Sequence, residues 1–221
     1  YDFAGARALL DAAQCEQHCV AEREQAHARI DRLAKAHRAS VRAGGSPRQR
    51  ATLVAAISEG YREVGDYARC HQWLKKKSAY VAQLAPGRDA ALAQAEHALA
   101  LGEVLYCQYS ATESAPGLKN ARANFDDALS HVAALRSHAA GPGAATAAAA
   151  LTLEAKAQRW IGNTLGALGA SRVPNATRLQ DAAYARATTV ARCASLGALE
   201  IEIAIDCAEA TILRTAPRDG A

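Results

Sequence analysis

The chain has 221 residues, of which 50% are hydrophobic and 22% charged, with a formal net charge of +4. This is globular composition, and it excludes an intrinsically disordered chain and the strongly basic balance of a nucleic-acid binder. Alanine accounts for 57 positions, against two tryptophans, seven tyrosines, two phenylalanines and no methionine. Alanine is the best helix former and loses no side-chain entropy on folding. It fills little volume, so a core built on it requires helix backbones to come close. The expectation is an all-α fold of tightly stacked helices.

Breakers divide the chain in order. Ala6 to Ala43 contains no Gly or Pro, so the first segment, 2–43, reads either as one long helix or as a pair with a turn near Gln17–Val20, and one helix is the reading taken. Gly44-Gly45-Ser46-Pro47 ends it, with Ser46 as N-cap and Pro47 at the first position of the next helix. Further breaks at Gly65-Asp66, Pro86-Gly87, Ser114–Gly117, Gly141-Pro142-Gly143, Gly169–Asn175 and Gly197 leave helices at 47–64, 66–85, 88–110, 118–138, 144–168, 176–196 and 198–214. Ile201-Glu202-Ile203-Ala204-Ile205 alternates as a strand would. Leu199, Ile203, Ala210 and Leu213 fit one helical face, however, and the segment is read as helix. About eight helices result, taken as a single α-helical domain over 1–221. The start at Tyr1 and the lack of methionine suit a piece of a longer chain.

A repeat of roughly 60 residues runs through these helices. Phe3, Tyr67, Phe125 and Tyr184 are each followed after three residues by a small one (Ala6, Cys70, Ala128, Ala187) and after six or seven by a bulky apolar one (Leu9/Leu10, Trp73/Leu74, Val132, Val190). The preceding helices carry Ile57-Ser58, Leu101-Gly102 and Ile161-Gly162, with Tyr61, Leu105 and Leu165 three to four residues later. A bulky residue followed by a small one, then an apolar residue a turn later, is the matching half of a helical hairpin.

On these residues the chain resembles the tetratricopeptide repeat superfamily. The closest stretch is 51–84, where Ile57-Ser58, Tyr61, Gly65-Asp66-Tyr67, Cys70 and Leu74 stand at that family's Leu-Gly, Tyr, Gly-Asp-Tyr, Ala and aromatic/Leu positions. Ile161-Gly162, Leu165 and Gly169 repeat the first-helix signature. The period near 60 departs from the family's 34, and Cys70 replaces an alanine. The resemblance implies stacked antiparallel hairpins forming a short superhelix, with first helices lining a concave groove that binds a protein or peptide. It places Glu59, Arg62 and Glu63, then Glu96, Glu103 and Tyr106, then Lys156, Arg159 and Asn163 on that groove.

Other chemistry is sparse. Cys15, His18 and Cys19 share one helix face and offer three metal ligands where a structural zinc site takes four; a metal- or small-molecule-binding helical protein is the competing reading. Asp126-Asp127 reads as a charge pair suited to a helix opening, and Lys75-Lys76-Lys77 as a solvated face. No phosphate-binding glycine loop, GxSxG or HExxH occurs, and the seven histidines form no recognisable triad order, so no enzyme and no cofactor are expected. Six cysteines are too few for a disulfide scaffold and read as small buried hydrophobes of a reducing, cytoplasmic protein. No run approaches the roughly 18 apolar residues of a membrane span. Residues 1–90 hold 15 Lys/Arg against 10 Asp/Glu and residues 91–221 hold 11 against 12, a basic excess read as solvated surface. The expected role is a regulatory scaffold module with a protein or peptide partner, and neither nucleic acid nor membrane.

Overall fold

The structure is a computed structural model that describes the backbone of residues 3–110, 112, 114–137 and 144–215, and the side chains of 21–110, 112, 114–137 and 145–215. Eight helices make up these residues: α1 (Phe3–Arg42), α2 (Pro47–Glu63), α3 (Tyr67–Val81), α4 (Arg88–Ser110), α5 (Ala115–Ser137), α6 (Ala144–Leu168), α7 (Ala176–Cys193) and α8 (Gly197–Thr215). The fold is all-α, with helices packed as sequential antiparallel neighbours. It divides into two compact units, 1–80 and 81–221.

In the first unit α1 is one unbroken helix of 40 residues, in keeping with the absence of Gly and Pro from Ala6 to Ala43. Ser46 caps α2 by accepting a hydrogen bond from the Gln49 N–H at 3.2 Å, and Pro47 occupies the first turn, where its missing N–H costs nothing. Helix α2 buries Ala51, Val54, Ile57 and Ser58 and runs antiparallel to α1, with Gly60 against the buried Ile30: a Cβ there would lie 2.6 Å from the Ile30 side chain. Asp66 caps α3 through the Arg69 N–H, and Cys70, Leu74, Lys77 and Val81 form its buried stripe. Helices α2 and α3 meet through long side chains, Arg50 over the Tyr80 ring and Arg69 over that of Tyr61, each at 5.8 Å.

Two expectations are corrected here. The lysine run is not a uniformly solvated face: Lys76 stacks on Trp73 at 4.0 Å and Lys77 is buried, because a helix sends three successive side chains in three directions and lysine's aliphatic stem packs like a hydrophobe. Helix α3 also stops at Val81, four residues short of the expected end.

His37 on α1 is buried between aromatic groups of α3, edge-on to Trp73 at 5.5 Å with its Nε2 3.1 Å from the Tyr80 hydroxyl. Burial, reinforced by Lys76, Arg50 and Arg38, holds its pKa below the usual imidazole value. Because the folded state resists protonation more than the unfolded chain, stability is full above about pH 6.5 and falls as the pH drops from there toward the folded pKa. With Trp73 as sole fluorescent reporter in a Trp160→Phe background, the urea midpoint of the first unit is expected to decline between about pH 7 and pH 5. His37→Gln is expected to flatten that slope.

The second unit contains the repeat. Helix α4 packs on α5, α5 on α6, α6 on α7 and α7 on α8, while α4 also touches α6 and α6 touches α8. The first helices of successive hairpins thus stand side by side in the row α4, α6, α8, backed by α5 and α7. Glycine permits the closest hairpin approaches. A Cβ on Gly102 of α4 would lie 2.5 Å from the Phe125 ring of α5, and one on Gly162 of α6 would lie 2.6 Å from the Tyr184 ring of α7. Ala121, Ala128, Ala157, Ala187 and Ala191 are fully or almost fully buried around these contacts, which is how an alanine-rich sequence reaches core density.

Helix α5 begins at Ala115, three residues before its expected start, because Pro116 sits in the first turn, where proline is tolerated. Asp126 and Asp127 lie mid-helix, more than two turns from either reading of the start, and cap nothing. Asp126 pairs with Arg122 one turn earlier, with 3.0 Å between Nε and Oδ2. The segment 197–215 is helical as expected, although Leu213 is exposed while Leu199 and Ile203 are buried.

Candidate functional site

The side chains assigned to the groove fall into three environments. In the first unit Glu59 and Arg62 pair within α2, Nε to Oε2 at 2.9 Å, and Glu63 pairs with Arg29 of α1. Glu63 and Arg29 border an open hollow of about 560 Å³ that Arg23 and Arg32 also line. In the second unit Glu96 and Lys156 are simply exposed. The remaining four, Glu103, Tyr106, Arg159 and Asn163, are brought together on the α4–α6–α8 row.

These four belong to one network of polar and ring contacts, joined where the Arg159 guanidinium lies over the Trp160 ring at 5.6 Å. The Arg159 guanidinium spans from α6 to α8, donating from Nε to Asp206 Oδ2 at 2.5 Å and from Nη1 to Glu202. Asn163, one turn on, donates to Asp206 Oδ2 at 2.9 Å and accepts from the Tyr184 hydroxyl at 2.7 Å. Trp160 donates its indole N–H to Glu103 of α4 at 2.9 Å, and its ring packs on Tyr106 at 5.1 Å and stacks with Phe125 at 6.2 Å. The Arg159 and Asp206 side chains are only 18% and 14% exposed, so this ion pair is shielded from the solvent screening that weakens surface pairs. Arg159 and Glu103 hold the row of helices together and do not stand ready as open contacts.

Beside this network lies a cleft of about 520 Å³, walled by the C-terminal parts of α4, α6 and α8 and the start of α7. Tyr106 and Ser110 come from α4, Asn163 and Gly166 from α6, Thr177, Gln180 and Tyr184 from α7, and Asp206, Glu209 and Leu213 from α8. Gly166 keeps the wall thin: a Cβ there would lie 2.5 Å from the Gln180 amide. Burial, with Asp206 adding to it, raises the phenol of Tyr106 and pushes that of Tyr184 up to about 12. Both hydroxyls therefore keep their protons at neutral pH; that of Tyr184 is already donated to Asn163 Oδ1. The cleft combines apolar and aromatic walls with the Tyr106 hydroxyl and the Asp206 and Glu209 carboxylates.

Trp160, Tyr184, Glu202 and Asp206 were not singled out as site residues from the sequence. Glu202 and Asp206 sit one turn apart on a single face of α8, which is the only local signal they carry. Their partner Arg159 is more than 40 residues away.

Among the described residues no group of three or more His, Cys, Asp or Glu is placed to hold a metal ion, and no helix is long and apolar enough to cross a membrane. The Cys15, His18 and Cys19 side chains lie outside the described residues. Of the other cysteines, Cys70 is buried, Cys107 and Cys207 are half-buried and Cys193 is exposed, so the expectation of buried cysteines fails at Cys193. No protein-family model, curated protein or solved structure matches the chain.

Proposed function

We propose that this chain is a non-enzymatic, peptide- or protein-binding helical-repeat module of tetratricopeptide type, and that its partner docks on the α4–α6–α8 face of the second unit. The observation that carries the reading is the 520 Å³ cleft at one end of that row, with Tyr106, Asn163, Tyr184 and Asp206 in its walls. Two features support the family resemblance. Hairpins lock through a glycine facing an aromatic at Gly102–Phe125 and Gly162–Tyr184, and successive first helices pack side by side, as in solenoids that bind partners on the face those helices form.

The mechanism is equilibrium binding to a preformed surface. Asn163 and Asp206 are already fixed by their mutual hydrogen bond and by Arg159 and Tyr184, so binding orders few side chains and loses little of its gross energy to entropy. One anchor side chain of the partner enters the cleft and displaces water, and neighbouring segments lie along α6 and α8. Affinity concentrates in that anchor.

Ala170 and Thr177 line the cleft and are exposed, so Ala170→Arg and Thr177→Arg place long side chains over its mouth without removing a buried contact. Peptides selected from a displayed random library against the parent chain are expected to bind either variant about tenfold or more weakly, with unchanged circular dichroism. Equal binding to parent and both variants would remove the cleft as the docking site.

A further inference from the structure

Helix α8 is apolar on two opposite sides. Its inner side buries Leu199 and Ile203 in a core with Tyr184, Ala187 and Ala191 of α7, and Ala210 packs against it. On the other side Ile201, Ile205 and Ile212 are 64%, 52% and 63% exposed, and with the exposed Ala208 they follow at i, i+4, i+7 and i+11. That alternation of four and three is a heptad seam, the spacing by which one helix packs along another. A helix apolar on both sides belongs in the interior of a stack and not at its edge.

The packing of the second unit shows what kind of element fits. Helix α5 lies against both α4 and α6, and α7 against both α6 and α8, so α6, the interior first helix of the row, is covered on two sides by amphipathic helices. In the two hairpins a large ring fills the space over a residue without a side chain, Phe125 at Gly102 and Tyr184 at Gly162. On the outer side of α8 the small Ala208 lies between the bulky, exposed Ile205 and Ile212.

Charge selects among possible helices. Glu202, 54% exposed, and the exposed Glu209 lie seven residues apart along one flank of the seam. Glu202 and Asp206 share the single guanidinium of Arg159, so this flank keeps an acidic excess. A second copy packed antiparallel, as neighbouring helices here pack, would bring Glu202 of one copy beside Glu209 of the other, and such like-charge pairs are destabilising. A helix with lysine or arginine on that flank gains where a copy of α8 loses.

We infer that the outer face of α8 is a second docking surface, separate from the cleft except where Glu209 borders both, which takes an amphipathic helix bearing a heptad-spaced apolar stripe flanked by basic residues. The probe is a synthetic amphipathic helix with leucine at the heptad positions and lysine on the flanks. Its control carries glutamate in place of every lysine. In fluorescence anisotropy with the full chain, the lysine peptide is expected to bind about tenfold or more tightly than the glutamate peptide at low salt, with the gap shrinking as salt is added. Ile205→Asp/Ile212→Asp is expected to abolish this binding and leave the thermal midpoint near that of the parent, because both side chains already face water. Ala170→Arg at the cleft is expected to leave it unchanged, which separates failure of this surface from failure of the cleft. Equal binding of the two peptides, no binding of either, or full binding by the double aspartate variant would overturn the inference. So would sedimentation of the parent as a dimer that the aspartate variant dissolves, since the occupant would then be a second copy.

Discussion

Phe125→Ala is expected to destabilise the second unit by about 3–5 kcal/mol. The ring is fully buried, lies against the bare backbone of Gly102 and stacks with Trp160, so its loss removes contacts on three sides and leaves a cavity that rigid helices cannot close. The sharper expectation concerns Gly102→Ala, whose sign depends on Phe125. In the parent chain the new methyl would begin 2.5 Å from the ring, and overpacking of this kind costs about 1–3 kcal/mol against the roughly 1 kcal/mol that alanine gains over glycine in helix propensity. In the Phe125→Ala background the clash is gone, so only the propensity gain and partial cavity filling remain, and Gly102→Ala is expected to stabilise. Urea denaturation of the four species, followed by far-ultraviolet circular dichroism, measures both signs. Destabilisation by Gly102→Ala in both backgrounds would contradict the glycine–aromatic lock.

Arg159→Met is expected to cost about 2–4 kcal/mol, somewhat below the loss from breaking a fully buried pair because a little solvent still reaches both partners. The substitution leaves Asp206, 14% exposed, with the Asn163 amide as its remaining named donor and no guanidinium between it and Glu202. Arg159→Met/Asp206→Leu removes the stranded charge as well and is expected to be more stable than Arg159→Met alone, although the Asn163 hydrogen bond is also lost. Equilibrium denaturation of the three variants checks the order. If Arg159→Met alone is neutral, the α6–α8 network does not hold the row. This expectation also bears on binding: loss of a partner on substituting Arg159 would reflect a loosened cleft and would not identify Arg159 as a contact.

Both results rest on features that the sequence displays unequally. The helices were legible because Gly and Pro punctuate the chain at nearly every boundary, and the misplaced start of α5 came from treating Pro116 as a breaker in the one part of a helix that accepts it. Leu101-Gly102 and Phe125 were each visible as markers, as were Ile161-Gly162 and Tyr184. That each glycine receives the following aromatic is a fact of packing, which no spacing along the chain contains. Of the residues lining the cleft, Tyr106 and Asn163 are ones that the resemblance to tetratricopeptide repeats places on the first-helix face. The pairing of Arg159 was not legible, because a long-range ion pair to Glu202 and Asp206 depends on which helices become neighbours. Lys77 shows the same limit: residue type suggests water, and register decides for the core.

Amide chemical-shift mapping with a peptide selected on the parent chain tests most directly whether the α4–α6–α8 row is the binding face. The largest perturbations are expected at Tyr106, Asn163, Gly166, Thr177 and Glu209, around the cleft. Perturbations confined to the outer surfaces of α5 and α7, or to residues 21–80, would contradict this.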